Sequence, residues 1–184
     1  INDRTTDNMD LAIQNFVARI DKFFTSGDGF YNWKSLPYFF CEYEAKLAVK
    51  NKIDRFDAKS LFTNNDRDKI SIEHILPQTP TKDYWKHMFR QFNENEIKML
   101  SGALGNLLPL SQCINSALQN DSFDDKKHSK DNGRRGYENG CHSEIEVSKH
   151  NYWDAFAIYE RTENLLKFMQ ERWNIEFNEE QLNK

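Results

Sequence analysis

Cysteine is scarce in this chain of 184 residues, which contains only Cys41, Cys113 and Cys141. The three thiols are odd in number and far apart, and no CxxC pair is present. A structural zinc ribbon is therefore not expected. The simplest interpretation is three free thiols in the reducing environment of the cytoplasm.

Long apolar runs are also missing. No stretch approaches the ~20 residues that a membrane-spanning helix needs, and the first ten residues are too polar for a signal peptide. Mean hydropathy is -0.85, yet 14% of the residues are aromatic, which supplies ample core material. We expect one globular domain over residues 1–184. Because the chain starts with Ile1 rather than Met, we also expect it to be a fragment of a longer protein.

An overall basic excess is absent, since the net charge is -4. Taken alone, this argues against nucleic-acid binding, which usually requires a basic surface. The charge is uneven, however, and residues 126–135 read KKHSKDNGRR. This basic run is either a solvated face or a local DNA-contact surface. Its candidate DNA contacts are Lys126, Lys127, Lys130, Arg134 and Arg135.

Helical spacing of apolar residues dominates both ends of the chain. It predicts one helix through Ile13 to Phe23, ended by Gly27 and Gly29, and a second helix over residues 36–50. A long closing helix is predicted between Trp153 and Trp173. Residues 51–69 are polar, with a short helix near 57–62, and residues 130–150 are predicted to be a loop.

The middle of the chain changes character. Residues 70–76 alternate at a period of two and stop at Pro77, which predicts a strand followed by a loop. Gly105-Asn106 is a turn signal, and residues 107–110 predict a second strand. Ser111 can cap a helix that runs to about Leu118. Further short helices are predicted over 82–92, 94–101 and 122–129. The fold class is therefore α+β and mainly helical.

Four short motifs in this middle segment point to one family. They read EHILP at 73–77, GNL at 105–107, NS at 115–116 and FDDK at 123–126. In combination they resemble the ββα-metal core of HNH (His-Me finger) nucleases. They resemble more closely the C-terminal domain of GmrSD-type modification-dependent restriction endonucleases. The segments at 38–44 and 160–173 are similar to the helical surround of that family.

The resemblance implies a ββα-metal core at about residues 70–130, embedded in helices from 1–69 and 151–184. It implies a metal-dependent DNA endonuclease with His74 as the general base and Asn106 holding the His74 ring. Glu73 and Asn115 would be the metal ligands, and Lys126 would contact a phosphate oxygen. The expected cofactor is Mg²⁺, with Mn²⁺ or another divalent cation as the alternative.

These residue types suit the hydrolysis of a phosphodiester. A neutral histidine can take the proton of the attacking water, and a hard cation can stabilise charge on the leaving oxygen. One carboxylate and one amide oxygen are enough for Mg²⁺, which keeps most of its waters. HNH sites often have Asp before the histidine, and the Glu73 side chain is one methylene longer.

The position of Glu73 next to His74 poses a geometric problem. Neighbours on a regular strand point to opposite faces of the sheet. Both side chains can reach one metal site only if the strand bends or bulges there. Pro77 and the loop after it are consistent with such a bend.

The expected partners are DNA, modified or unmodified, and a nucleotide-hydrolysing sensor domain or subunit upstream, in a prokaryotic defence system. Two other interpretations stay open at this point. One is a DNA-binding module that keeps the fold without the activity. The other is a helical protein-interaction domain in which the short motifs occur by chance.

Overall fold

The computed structural model describes residues 3–52, 69–130 and 133–182. Within these ranges it confirms a mainly helical α+β fold with a two-stranded antiparallel sheet. The elements are α1 (Asp3–Thr25), α2 (Leu36–Asn51), β1 (Ile70–His74), α3 (Asp83–Met88), α4 (Glu94–Gly102), β2 (Leu107–Ser111), α5 (Gln112–Leu118), α6 (Phe123–Lys127), α7 (His142–Ser148), α8 (Ala155–Trp173) and α9 (Glu179–Leu182). Short 3-10 turns occupy Gly29–Asn32, Leu104–Asn106 and Tyr137–Asn139.

The small sheet lies between two hydrophobic cores. Strands β1 and β2 pair in a continuous register from Ile70 with Ser111 to His74 with Leu107. Because side chains alternate between the faces of a strand, Leu107 enters the core formed with α1 and α2. Its neighbour Leu108 enters the second core, which contains Trp85, Phe123 and Trp153. The two faces of the sheet therefore have different surroundings.

Residues 130–150, predicted to be a loop, contain helix α7 and a 3-10 turn. The prediction of a loop was wrong because the partner of this helix lies far away in the sequence. The buried carboxylate of Glu44 on α2 accepts hydrogen bonds from the backbone N–H groups of His142 and Ser143, at 3.0 and 2.7 Å. Unpaired N–H groups at a helix start need such acceptors, and a carboxylate also complements the helix dipole.

The long helix α8 is hydrogen-bonded to the turn between α4 and β2. Asp154 caps its start by accepting a hydrogen bond from the Ala157 N–H. The buried guanidinium of Arg161 donates to the carbonyl oxygens of Gly105 and Leu107, at 2.6 and 2.7 Å. The hydroxyl of Thr162 accepts a hydrogen bond from the Gly105 N–H at 2.9 Å. These three hydrogen bonds thus fix the backbone at Gly105 and Leu107, on either side of Asn106.

Among the described residues, no helix combines the length and the apolar composition that crossing a membrane requires. The short helix predicted near residues 57–62 lies outside the described ranges.

The close approach of α8 to Gly105 generates a stability prediction. A Cβ atom at position 105 would overlap the carbonyl oxygen of Ile158 and the Thr162 side chain. We expect Gly105→Ala to lower the free energy of unfolding by about 1–3 kcal/mol, as overpacking typically does. Urea denaturation followed by circular dichroism measures this change.

Gly27→Ala is the matched control for that experiment, because its added Cβ would meet only the flexible end of the Lys98 side chain. An equal loss of stability in both variants would contradict tight packing of α8 at Gly105.

Candidate active site

The end of strand β1 carries the two residues on which the nuclease hypothesis depends. The strand stays regular to His74, without the bend that a shared site would require. Glu73 is paired with Leu108 and is buried, whereas His74 is paired with Leu107 and is half-buried on the other face. The two side chains therefore face different surroundings.

His74 has a ring nitrogen that forms no hydrogen bond within the described part of the chain. Its ring packs on the ring of Tyr31, with a centroid distance of 4.5 Å. The Nε2 atom is buried and has no hydrogen-bond partner in the described part of the chain. Burial lowers the pKa of His74 to about 4, and the positive charge of Lys126 acts in the same direction. The imidazole is consequently neutral at pH 7.

Glu73 is held on the opposite face by two donors. Its Oε1 atom accepts hydrogen bonds from Lys126 Nζ at 2.6 Å and from the Tyr137 hydroxyl at 3.2 Å. Burial raises the pKa of Glu73, while the lysine beside it acts in the other direction. Burial likewise lowers the pKa of Lys126, and the carboxylate opposes that shift. The two groups compensate each other's loss of water.

Lys126 differs from its predicted role as a phosphate contact, because its side chain is 0% exposed. Besides Glu73, its ammonium donates to the carbonyl oxygens of His74 and Ile75, at 3.1 and 3.0 Å. All three of its protons are used at the end of β1. In this arrangement Lys126 fixes the backbone of the candidate base, and its ammonium is buried away from solvent.

Asn106 fixes the same segment from the other side. Its backbone carbonyl accepts the Ile75 N–H at 3.0 Å. Its side chain forms two hydrogen bonds with the backbone of Leu76, as acceptor at 2.7 Å and as donor at 2.9 Å. The Trp153 indole donates to the same amide oxygen, and the amide nitrogen also donates to the Ser101 carbonyl. Asn106 thus holds the chain just after His74 rather than the imidazole ring that was predicted.

Asn115, the second predicted metal ligand, lies on α5. Its amide nitrogen donates to the Ser71 hydroxyl at 2.9 Å. The described residues contain no group of three or more His, Cys, Asp or Glu side chains arranged to hold a metal ion. Glu73 is buried against an ammonium, an environment that repels a cation. Glu73 and Asn115 therefore do not fit a divalent cation as a ligand pair in this arrangement.

The remaining members of the basic run are also engaged within the protein. Lys130 contacts Asp121 and Asp125, at 3.1 and 3.3 Å. Arg134 is mostly buried beside Asp121, and Arg135 pairs with Glu144. Lys127 is mostly buried and donates to the His150 carbonyl. The sign of the charge was readable from the sequence, but these acidic partners were not.

Sequence reasoning missed several residues that support the site. Tyr31 packs on His74, Tyr137 donates to Glu73, and Arg161 holds the Gly105 turn. None of the three belongs to a short motif. The helical spacing of α8 was visible, but it places Arg161 within an ordinary amphipathic helix.

Comparisons with known proteins give one match. Residues 20–168 match the family described as GmrSD restriction endonucleases, C-terminal domain. No curated protein and no solved structure matches the chain.

The buried pair of Glu73 and Lys126 generates a second stability prediction. We expect Lys126→Met to lower the free energy of unfolding by about 3–5 kcal/mol, because it leaves a buried carboxylate without its partner. Glu73→Gln combined with Lys126→Met is expected to recover most of that loss, since neither group is then charged. Chemical denaturation of both variants at pH 7 measures the effect.

Lys130→Met is the control for this series, because Lys130 is partly exposed and its ion pairs are accessible to water. Such pairs contribute little to stability. If Lys126→Met costs no more than Lys130→Met, the ammonium is not a buried anchor.

Proposed function

Because the chain belongs to the family of GmrSD restriction endonuclease C-terminal domains, we propose that it hydrolyses phosphodiester bonds of DNA with His74 as the general base. The observation that carries this proposal is the neutral His74 imidazole, whose buried Nε2 atom lacks a hydrogen-bond partner among the described residues. A buried nitrogen without a hydrogen-bond partner destabilises the folded protein. Proteins keep such unfavourable groups mainly at functional sites.

In the proposed reaction, His74 accepts a proton from a water molecule as the water oxygen attacks phosphorus. A P–O bond forms, the bond from phosphorus to the 3′ oxygen breaks, and the leaving oxygen takes a proton from solvent. The products are a 5′-phosphate and a 3′-hydroxyl. Lys126 and Asn106 contribute by fixing the backbone from His74 to Leu76, which sets the position of the imidazole.

Dependence on a divalent cation, Mg²⁺ or Mn²⁺, is part of the proposal and is based on the resemblance to HNH nucleases. Since Glu73 is bonded to Lys126, we assign no step of the reaction to a cation held by Glu73. The variant with Glu73→Gln and Lys126→Met tests whether Glu73 is a structural residue or a metal ligand. Cleavage by this folded variant would mean that the Glu73 carboxylate is not a required ligand. Loss of cleavage would make Glu73 a ligand only if Lys126→Met alone still cleaves, because Lys126 also holds the backbone at His74.

We further propose that the biological role is restriction of foreign DNA in a prokaryote, with an upstream nucleotide-hydrolysing domain or subunit that senses modified DNA. This part follows from the family alone and is independent of the site geometry.

The direct test of the nuclease proposal is plasmid cleavage. We expect the chain to convert supercoiled plasmid to nicked or linear DNA with Mg²⁺ or Mn²⁺, and EDTA to stop the reaction. His74→Ala is expected to lower the rate at least about 100-fold, the lower range for loss of a general base.

The control for this experiment is His87→Ala, since His87 lies on α3 and contacts Arg90 at the surface. Equal cleavage by wild type and His74→Ala would reject His74 as the base. Tight DNA binding without cleavage under any cation would favour the non-catalytic binding module.

The lowered pKa of His74 predicts an unusual pH dependence. With a pKa of about 4, the imidazole stays neutral as the pH falls through 6.5, where an ordinary histidine becomes protonated. We expect kcat/KM, which reports on the free enzyme, to remain level from about pH 7.5 down to about pH 5.5. For a base with the ordinary histidine pKa, kcat/KM would fall roughly tenfold by the lower end of this pH range.

The measurement is the rate of cleavage of a fluorescent oligonucleotide duplex across this range, with circular dichroism to check folding at each pH. A midpoint near pH 6.5 in a folded protein would contradict the buried environment of His74.

A further inference from the structure

An open groove of about 690 Å³ lies between the start of α2 and the edge formed by β1 and α5. The described residues that line it include two lysines, Lys34 and Lys69, and no Asp or Glu. Three side-chain amides also line it, from Gln112, Asn115 and Gln119. This surface, which we call the lysine groove, therefore offers positive charge and hydrogen-bonding groups, and the described residues that line it carry no opposing charge.

The two lysines of the groove are exposed, and neither forms an ion pair within the described part of the chain. The basic run at 126–135 differs in this respect, because its charges already have internal partners. A phosphate that approaches Lys130 must compete with two carboxylates. A phosphate that approaches Lys34 or Lys69 meets no such competition from the described residues, so its attraction is not offset there.

Tyr31 connects the lysine groove to the candidate base. Tyr31 lines the groove, and its ring packs on the His74 ring at 4.5 Å. Tyr31 is also 44% exposed, so part of its ring is open to solvent. A strand that follows the groove along β1 as far as Tyr31 would be separated from the His74 ring by that one side chain.

We propose that the lysine groove binds the sugar-phosphate backbone of the DNA strand that is cut. Lys34 and Lys69 contact phosphates, and the amides of Gln112, Asn115 and Gln119 donate hydrogen bonds to phosphate or sugar oxygens. Such contacts position DNA without reading its sequence. This assignment rests on the proposed nuclease function and gives Asn115 a role in substrate binding rather than in a ligand pair with Glu73.

The test uses the non-cleaving His74→Ala chain as the binding protein, so that DNA stays intact. A fluorescein-labelled duplex of 20 base pairs is titrated at several NaCl concentrations, and anisotropy gives Kd. We expect Lys34→Gln with Lys69→Gln to weaken binding about tenfold at 0.1 M salt. The slope of log K against log salt should fall by about two, one for each phosphate that the variant no longer binds.

Two matched double variants remove the same number of charges elsewhere. Lys86→Gln with Lys167→Gln neutralises exposed lysines outside the groove, and we expect Kd within twofold of the parent. Lys130→Gln with Arg135→Gln tests the basic run directly. Unchanged binding in the groove variant, or an equal loss in the basic-run variant, would overturn the proposal. Circular dichroism checks that all variants are folded.

A cleavage assay with His74 intact separates this proposal from the nuclease proposal. If the groove variant cleaves with an unchanged kcat and a raised KM, the groove binds substrate. If it binds and cleaves like wild type, the groove assignment fails while the nuclease function stands. If wild type neither binds nor cleaves DNA, both proposals fail together.

Discussion

The buried ammonium of Lys126 is the interaction on which the candidate site depends. A lysine with no exposed surface requires three acceptors, and here they are the Glu73 carboxylate and two consecutive backbone carbonyls. The carbonyls belong to His74 and to the residue after it. The hydrogen bonds that stabilise the buried ammonium therefore also fix the backbone at the candidate base. The same ammonium contributes to keeping the imidazole neutral. Removing it would therefore disturb the position and the protonation of His74 together.

One face of the sheet carries the residues that hold strand β1 in place, and the other face carries the candidate base. On one face, Glu73, Lys126 and Tyr137 form a buried polar network within the second hydrophobic core. On the other face, His74 packs on Tyr31, which lines the open groove. A regular strand with a period of two produces this division without any bulge. Adjacent residues of one motif thus face different surroundings, and the Glu73 carboxylate is hydrogen-bonded within the core on the face opposite the histidine.

Local sequence patterns were sufficient to predict much of the fold. The alternation through residues 70–76 and the Gly105-Asn106 turn are local properties. The alternation predicted a strand where β1 lies, although the strand ends at His74, and the turn was predicted at its observed position. Helix α7 was missed because its capping carboxylate, Glu44, lies 98 residues away from His142. Lys126 was assigned to DNA for a related reason, since its partner Glu73 is 53 residues away. Composition identifies a basic segment, but only the tertiary structure shows whether its charges are already compensated.

Helix α8 closes the turn that holds the candidate site, and this has a consequence for how the protein is made. Arg161 and Thr162 supply the hydrogen bonds to Gly105 and Leu107, and the Trp153 indole just before the helix reaches Asn106. Because synthesis proceeds from the N-terminus, the histidine, the asparagine and the buried lysine are all made before these groups. A partly made chain therefore contains every motif residue but lacks the support that fixes them. The hydrogen bonds that hold the Gly105 turn and Asn106 can therefore form only after the long helix has been synthesised.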